Sequence, residues 1–257
     1  MKRITRIFAA ALLAGTIATG TAHAGDVLFY YGHAGLNEGH TQFAALIAAQ
    51  GGSVDFDNGA VLPSLAGYRL VLISVPGLGN PADFFSAAEK ASLIAFLGNA
   101  NHKVVCIGEW NGFYGAGQAV LIDLINAIGG GTGIAFLPNV FDSGCFAYNC
   151  GGTLGVSPLV AGLTHVCKAA TSTWNPGTGG SVAFPVEAPN QPWIVDNGTN
   201  VPCIVGIGDS NTLSDGCGHL TDADTYTFAK RLYTIQCSGE VVGAQPTTWG
   251  GVKAIYR

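Results

Sequence analysis

Charge is scarce in this 257-residue chain: Asp, Glu, Lys and Arg together make up 11% of it, against roughly 25% in an average domain. Beyond the N-terminal leader, the few Lys and Arg residues form no cluster. Nucleic acid and anionic membrane surfaces are held by basic patches, so neither is expected as a partner. Beyond the N-terminal leader, no apolar stretch approaches the about 20 residues that cross a bilayer, and no membrane insertion is expected. No C-x-x-C pair occurs, which removes a common cysteine framework for zinc. Internal repeats and low-complexity tracts are missing as well. Glycine is plentiful instead, at 38 residues, where an average content of roughly 7% would give about half that. The surface must therefore be built mainly from Gly, Ser, Thr, Asn and Ala.

The N-terminus supplies Lys2, Arg3 and Arg6, an apolar run from Ile7 to Ala18, and Ala22-His23-Ala24 before Gly25. A basic region, an apolar region and an A-x-A site in that order predict a signal peptide over residues 1–24 and a mature chain starting at Gly25. Loss of this leader removes three of the 11 basic residues and none of the 16 acidic ones, leaving a net charge of −8. The expected destination is secretion, periplasmic or extracellular. The roughly 230 residues that remain suffice for one sizeable α/β domain.

Seven cysteines in an exported chain predict disulfides, and the odd count leaves one thiol over. Cys106 is the expected free thiol, because it sits inside an apolar run where Cys behaves as a small hydrophobe. The candidates for bridges are Cys145, Cys150, Cys167, Cys203, Cys217 and Cys237, all in the second half. Their pairing stays open.

Short apolar runs alternate with helical periodicity. Strands are predicted at Val27–Tyr31, Ser53–Phe56, Tyr68–Val75 and Lys103–Gly108, and helices at Thr41–Gln50, Pro81–Leu97 and Gln118–Ile128. Residues 129–200 are rich in Gly, Pro, Asn, Ser and Thr, with short strand candidates at Ser181–Val186 and Trp193–Val195, and read as an irregular, disulfide-stapled insert on the sheet. Regularity returns with a strand at Val201–Ile207 and a helix at Thr221–Ile235. The expectation is one α/β domain over residues 25–237, an open, mainly parallel, doubly wound sheet, followed by a linker and C-terminal tail over 238–257. The closing Trp249–Arg257 segment reads either as a sorting or docking peptide or as an edge strand.

The fourth strand ends in Gly108-Glu109-Trp110-Asn111-Gly112, and a late strand ends in Gly208-Asp209-Ser210-Asn211. The first pentapeptide has the spacing of a nucleophile elbow, where a central Ser or Cys is forced into a strained turn above the sheet edge. Over about Asp26–Ile128 and Val201–Ile235 the chain resembles the class I glutamine amidotransferase-like superfamily, in particular its secreted or accessory branches that lack the triad. That resemblance implies a flavodoxin-like sheet. The family carries Cys at the centre of the elbow and this chain carries Trp110, so amidotransferase activity is not expected. Gly208-Asp209-Ser210 also invites comparison with lipases and esterases of the Gly-Asp-Ser type. Those place the motif after the first strand with a catalytic His near the C-terminus, whereas here it follows a late strand and only His219 lies downstream.

In open parallel sheets ligands bind at the carboxyl ends of the strands. The polar residues expected there are Gly32 and His33, then Glu109, Trp110 and Asn111, then Asp209, Ser210 and Asn211. Carboxylates, amides and an indole together suit a carbohydrate. Each also has a structural role open to it: Asx-type bonds for Asp209 and Ser210, a core plug for Trp110, a helix cap for Glu109. His33, Glu38, His40 and His219 have no zinc spacing, and Asp209, Asn211 and Asp215 do not match an EF-hand loop. No metal and no cofactor are expected. Two functions follow: a secreted non-catalytic binding or assembly module whose partner is a glycan or another exported protein, and a secreted hydrolase of glycans or small esters working through Glu109 and Asp209. N-terminal sequencing of the exported chain should begin at Gly25; a start at Met1 would remove the leader from the argument.

Overall fold

A computed structural model describes residues 25–75, 77, 79–141, 150–197 and 202–235. The expected leader, the segment 238–257, Cys145 and Cys237 lie outside the described residues. In chain order the strands are β1 (Val27–Tyr30), β2 (Val54–Asp57), β3 (Leu70–Ile73), β4 (Lys103–Ile107), β5 (Ala135–Phe141), β6 (Thr153–Leu154), β7 (Thr171–Asn175), β8 (Gly180–Phe184), β9 (Ile194–Asp196) and β10 (Ile204–Ile207). The α-helices are α1 (Thr41–Ala48), α2 (Ala87–Leu97), α3 (Asn111–Tyr114), α4 (Gln118–Ile128) and α5 (Ala223–Thr234).

Eight strands form one sheet in the order β2-β1-β3-β4-β10-β9-β8-β6. The first five of these are mutually parallel, and β9, β8 and β6 continue the sheet antiparallel. The parallel strands are uniformly apolar because both faces are covered. Val27 and Phe29, Leu70 and Leu72, Val105 and Ile107, and Val205 and Ile207 pack with Phe43 and Ile47 of α1 and Phe228 and Leu232 of α5. Leu28 and Tyr30, Val71 and Ile73, and Val104 and Cys106 point the other way, onto Leu93 of α2 and Leu121 and Leu124 of α4. This is the doubly wound α/β fold that alternating runs predict.

Within residues 129–200, β8 and β9 pair antiparallel on the edge of the sheet, and β5 pairs with β7 as a separate two-stranded ribbon. The ribbon is seated by two rings. Phe136 and Trp174 meet edge-on at 4.9 Å, and each lies over a glycine of the main sheet. A Cβ on Gly108 would come within 2.3 Å of Phe136, and one on Gly206 within 2.6 Å of Trp174. Glycine at these strand positions therefore provides room for the aromatic pair. The Cys150–Cys167 disulfide lies in this region, Cys203 and Cys217 each take part in a separate disulfide, and Cys106 is free and buried.

Helix starts follow local chemistry. Ser86 caps α2 and forms a capping box with Glu89, and Asp222 caps α5 through Thr225 N. The predicted helix over Pro81–Leu97 is divided: a 3-10 turn at Pro81–Asp83 precedes α2, because Ser86 starts a new cap. α1 receives no side-chain cap from its own N-cap residue, His40. Asp215, 174 residues later than Thr41, accepts from Thr41 N at 2.8 Å and Gln42 N at 2.9 Å instead. Gly206→Ala should overpack the sheet against Trp174 and lower unfolding stability by about 1–3 kcal/mol. Denaturant titration checks this, and an unchanged midpoint would mean the ribbon is not seated on β10.

Candidate binding site at the carboxyl edge of the sheet

β4 and β10 are parallel neighbours with Ile107 opposite Ile207. Each strand continues into a glycine and then an acid, so Glu109 and Asp209 emerge side by side. They are 2% and 0% exposed. Two buried carboxyl groups this close demand donors, and the surrounding chain supplies them. Asp209 Oδ2 accepts from Ala169 N at 2.5 Å and Oδ1 from Asn211 N at 2.9 Å. Glu109 Oε1 accepts from Trp110 N at 2.6 Å. The Glu109 carbonyl is gripped by Gln118 Nε2 at 2.7 Å and Ser172 Oγ at 2.8 Å.

Ser210 links the pair to a third acid. Its hydroxyl touches Glu109 Oε2 and also Glu38 Oε2, the latter at 2.5 Å. A serine hydroxyl carries one proton and can donate to only one of these oxygens. The other contact requires a protonated carboxyl that donates to Ser210 Oγ. Glu109 suits that role: burial first, and the charge of Asp209 second, push its carboxyl up to about 8. Burial also raises Asp209, but the Ala169 and Asn211 N–H groups oppose the rise. The pair therefore shares a proton, and the Ser210 contact places it on Glu109. Burial raises Glu38 too, against the hydrogen bond from Ser210. Glu38 is half-buried and is the cluster's outlet toward solvent.

Trp110 sits between β4 and α3, as its position in the pentapeptide predicts, but without elbow strain. Its φ of −57° and ψ of 128° are ordinary for any residue, and neither Gly108 nor Gly112 is left-handed. The two glycines serve space rather than backbone freedom: a Cβ on Gly112 would meet the Trp110 ring at 2.5 Å. The indole N–H has no acceptor among the described residues. Phe113 is 61% exposed, and Tyr114 donates to Ala34 O at 2.8 Å, which ties α3 to the loop after β1. Cys106 offers no substitute nucleophile, since it faces the core and burial pushes its thiol up to about 12.

The other expected site residues divide. Ser210 and Asn211 stand at the cluster, and Asn111 is exposed at the start of α3. His33 is drawn elsewhere: its Nε2 lies 2.8 Å from Glu89 Oε1 and its ring packs on Phe85 at 4.4 Å. Gly32 is walled in by Tyr30 and the Gly59 carbonyl. His40 is buried against Phe29 at 3.9 Å, and burial holds it down to about 4. His219 is likewise held down to about 4 by burial. Asp215 spends its two oxygens on the N–H groups of Thr41 and Gln42 at the start of α1. Sequence reasoning considered Glu38 only as a metal ligand and missed its meeting with Ser210, 172 residues away. Its one local signal is its place just ahead of a helix start.

Glu109 holds its proton more tightly folded than unfolded, so its stabilising effect is complete below its unfolded value of 4.5 and is lost as pH rises toward 8. Asp209 acts in the same direction. His40 and His219 act oppositely, but only below their unfolded value of 6.5. Lys103, lowered to about 8 by burial, acts above that pH. Melting temperature should therefore fall between pH 6.5 and 8, and Glu109→Gln should flatten that fall. Equal slopes in the two proteins would refute a protonated Glu109.

No family model matches the sequence, and no curated protein matches it. Solved structures similar to the chain include a ThuA-like protein from Parabacteroides merdae, at 15% identity and a TM-score of 0.48, covering 84% of this chain and 91% of that one.

Proposed function

We propose that the protein is an exported, non-catalytic module that binds a hydroxyl-rich ligand, of the carbohydrate class, at the carboxyl edge of its sheet. The observation that carries this reading is the Glu109–Ser210–Glu38 chain, which ends in a half-buried carboxyl group. Such a group can accept from sugar hydroxyls, and its inner partners hold it in one place. Trp110, Phe113 and Tyr114 add an aromatic surface near the same edge, which suits the apolar face of a sugar ring. The non-catalytic part rests on two features. Trp110 occupies the position of the elbow nucleophile, and both Asp209 oxygens are committed to backbone N–H groups. Export is supported by the leader-like N-terminus and by disulfides, which persist in oxidising compartments.

One observation favours the alternative, a hydrolase acting on glycans or small esters. A carboxyl group still protonated near neutral pH, as burial makes Glu109, is what a general acid requires. The two readings part on a single variant set. Under the binding reading, Glu38→Gln weakens retention on an immobilised glycan panel about tenfold or more with unchanged melting temperature, and neither wild type nor Glu109→Gln hydrolyses the panel or p-nitrophenyl esters. Hydrolysis by wild type that disappears in Glu109→Gln would establish the enzyme. Retention unaffected by Glu38→Gln would remove this edge as the binding site.

A further inference from the structure

Outside the carboxylate cluster, a second group of potential ligand side chains gathers around the Cys150–Cys167 disulfide. The Sγ atoms of Cys150 and Cys167, a ring nitrogen of His165 and a carboxylate oxygen of Asp222 all lie within 4.8 Å of one another. The four come from three separate places in the chain: the start of the 150–152 stretch, the segment 165–167 ahead of β7, and the N-cap of α5. We propose that this is a redox-gated zinc site, closed as a disulfide and able to hold Zn²⁺ once Cys150 and Cys167 are reduced. Cysteine spacing alone shows no zinc pattern; here the fold, not the spacing, assembles the donors.

The donor set is chemically apt. Two thiolates, an imidazole and a carboxylate are the ligands zinc takes in four-coordinate sites, where ligand atoms stand roughly 3–4 Å apart. The bonds on one side of His165 are those of a metal-binding histidine. His165 Nε2 points at Asp222 Oδ2 at 2.9 Å. Its Nδ1 lies 2.8 Å from Thr164 Oγ1, which donates onward to Asp224 Oδ2 at 2.6 Å. In the metal form Nε2 gives its lone pair to the ion, and Nδ1–H donates to Thr164, so the carboxylate behind it fixes the tautomer. Asp222 keeps Oδ1 on Thr225 N at 2.7 Å, which leaves Oδ2 for the ion without uncapping α5. Cys167 is buried and anchored by its N–H to Thr225 Oγ1 at 2.9 Å. Cys150 is half-buried beside exposed Gly151 and Gly152, and is the more open of the two sulfur ligands.

The exchange balances with a dithiol as reductant. Its two thiols give two hydrogen atoms to the protein disulfide and become a disulfide themselves, and Zn²⁺ then displaces the two thiol protons from Cys150 and Cys167. Oxidation reverses both steps and releases the ion. The site also adjoins the carboxylate cluster, since Thr212 Oγ1 donates to Cys167 O at 3.3 Å and Ala169 N to Asp209.

The test uses the full exported chain, with and without dithiothreitol treatment, desalted and titrated with Zn²⁺ against a chromophoric chelator, with Co²⁺ as a spectroscopic probe. The reduced protein should take up one equivalent that the oxidised protein does not. Its Co²⁺ form should show tetrahedral d–d bands and a thiolate charge-transfer band. His165→Gln and Asp222→Asn should each weaken binding at least tenfold. Absence of uptake with the Cys150 and Cys167 thiols shown free by alkylation, or uptake insensitive to both His165→Gln and Asp222→Asn, overturns the proposal.

Discussion

The register between β4 and β10 is the constraint on which the carboxyl edge depends. Once Ile107 stands opposite Ile207, the acids two residues on have nowhere to go but beside each other. Burying two carboxylates without donors costs more than a domain of ordinary stability can absorb. The neighbouring structure answers this demand. The segment before β7 donates Ala169 N, the turn after β10 donates Asn211 N, and α3 begins by donating Trp110 N. A retained proton on Glu109 removes the remaining repulsion. Thus the β5–β7 ribbon, remote in sequence, is structurally part of this edge, and Phe136 and Trp174 over two glycines are what hold it there.

Much of the fold was legible in the residues themselves. Strands buried on both faces show as continuous apolar runs, and β1, β3, β4 and β10 were visible for that reason. Glu109 and Asp209 were legible because each follows a glycine at the end of such a run. Helix α1 was visible from Phe43, Leu46 and Ile47, but its cap was not, because Asp215 reaches it from beyond β10. The same long-range tie, with Asp215 N donating to Gly39 O, brings the loop carrying Glu38 to Ser210. No local pattern encodes such a meeting. The pairing of His33 is equally non-local: Glu89, 56 residues away, bonds its Nε2, and the ring packs on Phe85.

Trp110 illustrates the difference between a motif's spacing and its mechanics. An elbow works by holding its nucleophile in a sparsely populated backbone conformation, and the spacing Gly-x-x-x-Gly is only the means of allowing that. In this chain the spacing is kept and the strain is gone. Gly108 clears Phe136 and Gly112 clears the Trp110 indole. Both glycines answer packing demands that would exist whether or not any chemistry took place there.

Backbone strain has not left the sheet edge; it is found on the loop after β1. His33 at φ 53° and Ala34 at φ 57° are consecutive left-handed residues with side chains, a conformation that costs of order 1–3 kcal/mol per residue. Three ties hold them: Glu89 on the His33 ring, Tyr114 Oη on the Ala34 carbonyl, and Gly35 N on the Gly32 carbonyl. Ala34 is exposed, so its own side-chain packing does not hold the turn. What the turn achieves is direction. It carries the chain from the end of β1 across to Glu38, whose carboxyl completes the Ser210 chain. The loop is also fastened to α3 through Tyr114, beside Trp110. The strained segment therefore couples the half-buried acid to the aromatic surface, and the two features proposed to grip a ligand are held in register by one loop.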